Sequence, residues 1–105
     1  MKLSIIIPTL NEEKILEQVL KRLRELKTAD YEIIISDGHS TDRTLGIAKQ
    51  YADKVVSHDG SYRQTIGQGR NAGAAAAAGE FLVCLDADVF IPDINNFFKK
   101  SPIKV

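Results

Sequence analysis

YEIIISDGHSTDRTLGIAKQYA, residues 31–52, changes its pattern twice within one turn-length of sequence. It opens as an isoleucine-rich run, Ile33 to Ile35, of the kind that forms a strand buried on both faces. Asp37 to Asp42 are turn residues. Gly38 is free to take an unusual backbone angle, and Ser40, Thr41 or Asp42 can cap the element that follows. That element is a helix, with Leu45, Ile47, Ala48 and Tyr51 directed toward a sheet. A strand, a tight turn and a helix in this order form the repeating unit of a parallel sheet.

The same plan stands on either side. Upstream, KLSIII (residues 2–7) is an isoleucine-rich strand stopped by Pro8. A helix follows, with Ile15, Leu16, Val19, Leu20, Leu23 and Leu26 at three- and four-residue spacing. Thr9 or Asn11 is expected to cap it, and Glu12 and Glu13 load its first turn with charge that suits the dipole. Downstream, DKVVSH (residues 53–58) reads as a short third strand and Asp59 to Gly69 as a loop. RNAGAAAAA (residues 70–78) reads as a helix stopped at Gly79, and EFLVCLD (residues 80–86) as a fourth strand. In the tail, VFIPDINNFFKKSPIKV, one helical turn is expected near Ile94 to Lys99.

Alternating strands and helices predict an α/β fold: a Rossmann-like, open, mostly parallel sheet with helices on its faces and right-handed crossovers. At 105 residues and 44% hydrophobic content the chain makes one domain, residues 1–105. Fourteen basic residues balance fourteen acidic ones, so no global field points to nucleic acid as a partner. The single cysteine, Cys84, has no intrachain partner, is expected to pack as a small hydrophobe, and fits a reducing cytoplasm. The opening apolar run is too brief for a signal sequence or a membrane span.

Ligands of such sheets bind beyond the carboxyl ends of the strands. The sequence places Pro8, Thr9, Asn11 and Glu12 after the first strand, Asp37, Gly38, Ser40 and Asp42 after the second, and Asp86 and Asp88 after the fourth. In an extended chain Asp86 and Asp88 point the same way, within roughly 7 Å at the backbone. Read alone, the pair also suits a solvated strand end. A hard divalent cation, Mg²⁺ or Mn²⁺, would relieve their repulsion and keep positions open for phosphate oxygens.

Taken in order and spacing, SIIIPTLNEE, EIIISDGHSTDRTLGIAKQYADKV and GRNAGAAAAAGEFLVCLDAD resemble the family 2 glycosyltransferases of the A-type fold, over about residues 3 to 92. The resemblance implies that Pro8, Thr9, Asn11 and Glu12 line a nucleotide pocket and that Asp37 hydrogen-bonds the base. It implies that Arg70 of Arg70-Asn71-Ala72-Gly73 lies near the nucleotide. Asp86 then faces the ribose and the metal shell, and Asp88 ligates the metal on the diphosphate. The substrate implied is a UDP- or GDP-type nucleotide-diphosphate sugar, and the activity a hexosyl transfer to an unknown acceptor.

The chain departs from that pattern in two places. His39 enlarges the usual D-G-S-T-D, leaving base selectivity open, and is expected to be a solvated turn residue. Only 17 residues follow Asp88, and none of their acids has the context of an acceptor-activating base; Asp93 reads as a turn or cap. The acceptor-binding half is therefore expected to be missing, the chain being either a fragment or a short product that needs a partner chain; a membrane-associated acceptor is one expectation, and self-association through the surface left exposed is another. Phe90, Ile91, Phe97 and Phe98 then either lie exposed or fold back on the sheet. Two other readings stand beside this one. One is a non-catalytic nucleotide-binding or interaction module on the same fold. The other is an NAD-binding domain, because GQGRNA (residues 67–72) satisfies G-x-G-x-x-G/A, although the stretch before it is a poor strand. The location expected is cytoplasmic, or peripheral to a membrane. Arg63 could approach a phosphate but is expected in a solvated loop, and His58 has no second ligand at zinc spacing.

Overall fold

In the computed structural model, which describes residues 2–27 and 30–88, seven elements alternate along the chain. They are β1 (Lys2–Thr9), α1 (Leu16–Leu23), β2 (Asp30–Asp37), α2 (Thr44–Tyr51), β3 (Lys54–Ser57), α3 (Ile66–Ala75) and β4 (Phe81–Cys84). The sheet is parallel throughout, in the order β3-β2-β1-β4. The readings on the tail, including Phe90, Ile91, Asp93, Phe97 and Phe98, lie outside the described residues.

β1 and β2 are buried on both faces, as their isoleucine runs predict. Ile5, Ile6 and Ile7 stand opposite Ile33, Ile34 and Ile35, and all six are fully buried. Each such side chain contributes about 2 kcal/mol relative to exposure. Alternate residues serve opposite faces. Leu3, Ile5, Ile7, Ile33 and Ile35 join Leu16, Val19, Leu20, Leu23 and Leu26 of the α1 segment and Ala48 of α2 in one core cluster. On the other face α3 lies over β1 and β2, with Gly73 set against Ile6 and Ser36. Right-handed crossovers require this division. The chain moves one way along the sheet through α1 and α2, then returns past β1 to β4 through α3, which must cross on the opposite face.

Three expectations are corrected. α3 begins at Ile66, four residues before Arg70, because Thr65 and Gln68 form a capping box: the Thr65 hydroxyl accepts from the Gln68 amide, and the Gln68 side chain accepts from the Thr65 amide. GQGRNA therefore lies inside a helix and is not a strand-to-helix turn, which removes the dinucleotide reading. The helix also ends at Ala75, within the alanine run. Tertiary partners take over there. Lys54 Nζ donates to the Ala76 carbonyl, Ala78 N to Glu32 Oε2 and Gly79 N to Ser4 Oγ.

Second, neither Thr9 nor Asn11 caps α1, whose first turn has no side-chain cap. Both reach instead across to the loop after β2. Third, β4 is half exposed. Val83, Leu85 and Ala87 are buried, whereas Cys84 is exposed and Leu82 is 48% exposed. α3 covers the neighbouring strands and leaves this outer strand uncovered among the described residues, so Cys84 is not a packed hydrophobe.

Candidate functional site

The strand order reverses direction between β1 and β4, and an open sheet parts into a crevice at such a point. A cavity of about 730 Å³ lies there, within the range of small-molecule sites. Its floor is the end of β1, Pro8 and Thr9, with Leu10 and Glu12 following. Ser36, Gly38 and the segment Arg63 to Ile66 form one end, closed by Gly69 of α3. Asp86, Ala87 and Asp88 form the other.

Hydrogen bonds between the two loops set the first end. Gly38 N donates to the Thr9 carbonyl at 2.9 Å. Thr9 Oγ1 donates to Asp37 Oδ1 at 2.7 Å, as does Ser40 Oγ at 2.6 Å. The amides of His39 and Ser40 donate to Asp37 Oδ2 at 3.1 and 2.7 Å. Asp37 is fully buried and is not part of the cavity wall. The carboxylate that the family resemblance places on the base thus sits one layer beneath the cavity, with both oxygens engaged by the protein.

Asn11, in the left-handed region at φ 53°, is a residue that tolerates that conformation. Its amide donates to Ser40 Oγ and its Oδ1 accepts from Thr41 N, so it joins the loops and does not face the cavity. Asp42 accepts from the Thr44 amide and hydroxyl just ahead of α2, whose N-cap position is Arg43 and carries no side-chain cap.

His39 is exposed but engaged. It has φ 85°, and its ring covers Gly60, where an added Cβ would lie 2.8 Å from ring atoms. The left-handed Gly60, φ 81°, is what permits that approach. The clasp draws the β3–α3 loop toward the strand ends; Arg63 of that loop is exposed, as expected, and with the half-buried Gln64 it also lines the cavity. Sequence reasoning missed Ser36, Gln64, Thr65 and Ile66 as wall residues. The Thr65-x-x-Gln68 capping signature was the signal that could have placed the start of α3 beside the cavity.

The other end is acidic. Burial alternates from Val83 to Asp88, so Asp86 and Asp88 share the exposed side. The chain has left the sheet by then: β4 ends at Cys84, Leu85 N still donates to the Ile6 carbonyl, and a turn follows at Ala87 and Asp88. Arg70 Nη2 lies 3.6 Å from Asp86 Oδ1, with both side chains substantially exposed, an ion pair of small energetic worth. The Glu12 carboxyl is pushed upward, first by burial and then by the charges of Asp88 and Asp42, as expected where carboxylates gather at one end of a cavity.

Among the described residues no group of three or more His, Cys, Asp or Glu side chains could hold a metal ion by itself. The donor chemistry nonetheless fits Mg²⁺ or Mn²⁺ shared with a substrate. Such ions take one or two carboxylates from the protein and complete their shell with phosphate oxygens and water. No helix among the described residues is long and apolar enough to cross a membrane.

Comparison with known proteins agrees with this architecture. The model of the family described as glycosyl transferase family 2 matches residues 4–96. The chain is 34% identical over 96 residues to the poly(ribitol-phosphate) beta-N-acetylglucosaminyltransferase TarS of Staphylococcus aureus, covering 87% of this chain and 17% of that protein. Among solved structures, S. aureus TarS 1–349 in complex with UDP-GlcNAc superimposes with a TM-score of 0.77 at 29% identity, covering 95% of this chain and 29% of that one. Glucosyl-3-phosphoglycerate synthase from Mycobacterium tuberculosis, in complex with Mn²⁺, UDP and glucosyl-3-phosphoglycerate, gives a TM-score of 0.74 at 30% identity, covering 93% and 37%. The chain spans about a sixth of the length of the curated relative it matches here.

Proposed function

The chain belongs to glycosyl transferase family 2, and from that premise we propose that its cavity is the donor half of a hexosyl-transfer site, binding the nucleoside diphosphate of a UDP-sugar. The observation that carries this reading is the polarity of the cavity: one end closed by the β2 and α3 loops, the other bearing Asp86 and Asp88. A nucleotide laid across the end of β1 would place its base at the first and its phosphates at the second. UDP is favoured over GDP because the similar structures hold UDP or UDP-GlcNAc.

Pro8 and Thr9 form the floor under the nucleoside, and Glu12 stands beside the acidic end. Asp37 and Asn11 act from behind, holding the two loops in the shape that the floor requires. Asp88, with Asp86, would hold a divalent cation, Mn²⁺ or Mg²⁺. When bound, that cation supplies Lewis-acid neutralisation of charge on the departing diphosphate. Arg70, beside Asp86, contributes a planar cation that can turn from carboxylate to phosphate.

Calorimetric titration with UDP, in Mn²⁺ and in chelator, tests the reading. Binding should require Mn²⁺, and Asp88→Asn should remove at least a hundredfold of the affinity while leaving the circular dichroism spectrum unchanged. An affinity indifferent to metal and to Asp88 would overturn it.

A further inference from the structure

Two imidazoles that the proposed donor site does not use hold the β3–α3 loop to the strand ends. His58 follows β3, and its amide donates to the Asp37 carbonyl at 2.8 Å. Its side chain is only 7% exposed. Nδ1 of its ring accepts from the Gly60 amide at 2.9 Å, and the Tyr62 ring meets it edge-on, 4.4 Å between centroids. His39 lies over Gly60 and turns its own Nδ1 toward the His58 carbonyl at 3.4 Å. At φ 85° that histidine keeps a backbone conformation that persists only where its surroundings enforce it.

The two rings respond differently to a proton. An Nδ1 that accepts is unprotonated, so the bond from Gly60 fixes His58 as neutral, with its proton on Nε2. A second proton would set Nδ1–H against the Gly60 N–H, and the ring is too little exposed for water to soften the clash. The exposed His39 has no such conflict, because a proton on its ring leaves Nδ1 a donor to the His58 carbonyl. The titratable groups facing His58 are Asp59 and Tyr62 from its own loop and His39 from the β2–α2 turn. Asp59, whose carboxyl is held low chiefly by the Ser61 amide, lies 3.9 Å from Nδ1. That is beyond hydrogen-bond reach, so a protonated His58 gains Asp59 only by giving up Gly60.

Resting on the donor-site reading above, we infer that His58 is a positioning residue that works as a proton-sensitive latch. Neutral, it holds Gly60, and with it the loop that brings Gln64 and Thr65 to the cavity wall; protonated, it releases that loop and weakens donor binding. Histidine is the side chain suited to such a change between about pH 5 and 8.

The test is calorimetric titration with UDP in Mn²⁺ at about pH 5.5 and about pH 7.5, on the wild-type chain, His58→Asn and His58→Ala. Asparagine sets a non-titrating amide oxygen where Nδ1 stands, and alanine removes the acceptor. Glu12, Asp86, Asp88 and the terminal phosphate of UDP are common to all three titrations, so the ratio of variant to wild-type affinity isolates His58. His58→Asn should match wild type at the higher pH and bind about tenfold more tightly than wild type at the lower one, the scale of one hydrogen bond. His58→Ala should bind about tenfold more weakly than wild type at the higher pH and equally at the lower. Without ligand, the Gly60 amide resonance should shift over the same interval in wild type and stay in place in His58→Asn. An identical pH response in wild type and His58→Asn would overturn the inference. So would His58→Asn being as weak as His58→Ala at both pH values, which would mark the packing of the ring on Tyr62 and not the Nδ1 bond. If wild type binds UDP at neither pH, the donor-site reading fails and the latch falls with it; if it binds UDP with the same pH response in all three chains, the latch alone fails.

Discussion

Glu32 is a carboxylate placed among isoleucines, 3% exposed, in the middle of a sheet. Burial alone would raise its pKa, but hydrogen bonds from Ser4 Oγ and Ala78 N and the ammonium of Lys54 outweigh that and hold it at about 2. The folded-state value lies below the ordinary one, so the stabilisation is present above about pH 4.5 and is lost as the pH falls toward 2. Glu32→Gln should therefore cost about 2 kcal/mol at pH 7, a figure moderated by the exposure of Lys54. It should also flatten the pH dependence of stability across that window, as urea denaturation at a series of pH values would report. An unaltered acid limb would mean that other carboxylates govern acid unfolding. Nothing around Glu32 in the sequence announces this role, because its partners are 28, 22 and 46 residues away. The acids that were legible, Asp86 and Asp88, follow a recognisable strand; the buried, unpartnered hydroxyl of Ser36 was not legible, since a polar group without a partner is visible only after folding.

At the scale of elements, the strands and the first two helices were legible because their apolar periods are unmixed. The third helix was misplaced at both ends. Its start depends on a capping box within a glycine- and glutamine-rich stretch, and its end on Glu32, Ser4 and Lys54, which take over the backbone groups of Ala76 to Gly79. Gly79, expected to stop the helix, lies four residues beyond its end and is required for a different reason. It does not terminate the helix in a left-handed conformation. It is needed because a Cβ there would lie 2.5 Å from Ser4 Oγ and 2.8 Å from both the Lys2 carbonyl oxygen and the Ser4 amide nitrogen. Two of those atoms are backbone in a paired strand and cannot yield cheaply. Gly79→Ala should accordingly destabilise the chain by about 1–3 kcal/mol, the usual cost of overpacking. A chemical denaturation midpoint equal to that of wild type would mean that the 76–80 turn can lift from β1 without loss.

Over the whole molecule, loops from β1, β2, β4 and α3 converge on one cavity although their residues are spread from Pro8 to Asp88. A ligand there would tie together segments that otherwise meet only at the sheet ends, and binding to the native state alone raises stability by mass action. At about a hundred times its dissociation constant a ligand adds about 2.7 kcal/mol, which for a domain of this size corresponds to a rise of roughly 10–20 °C in melting temperature. Two carboxylates with Arg70 close by make a weak cation site, whereas a diphosphate can supply the missing oxygens. The two ligands should therefore act together. Mn²⁺ alone should move the melting temperature by about a degree or less and UDP alone by little more, while the pair gives the full rise; scanning calorimetry with each and with both distinguishes the cases. If Mn²⁺ alone produced the whole rise, the chain would possess a complete cation site of its own, and sharing of the metal between Asp86, Asp88 and the nucleotide would be wrong. Full synergy, lost in Asp88→Asn, would tie the stability of the fold to the polarity of the cavity.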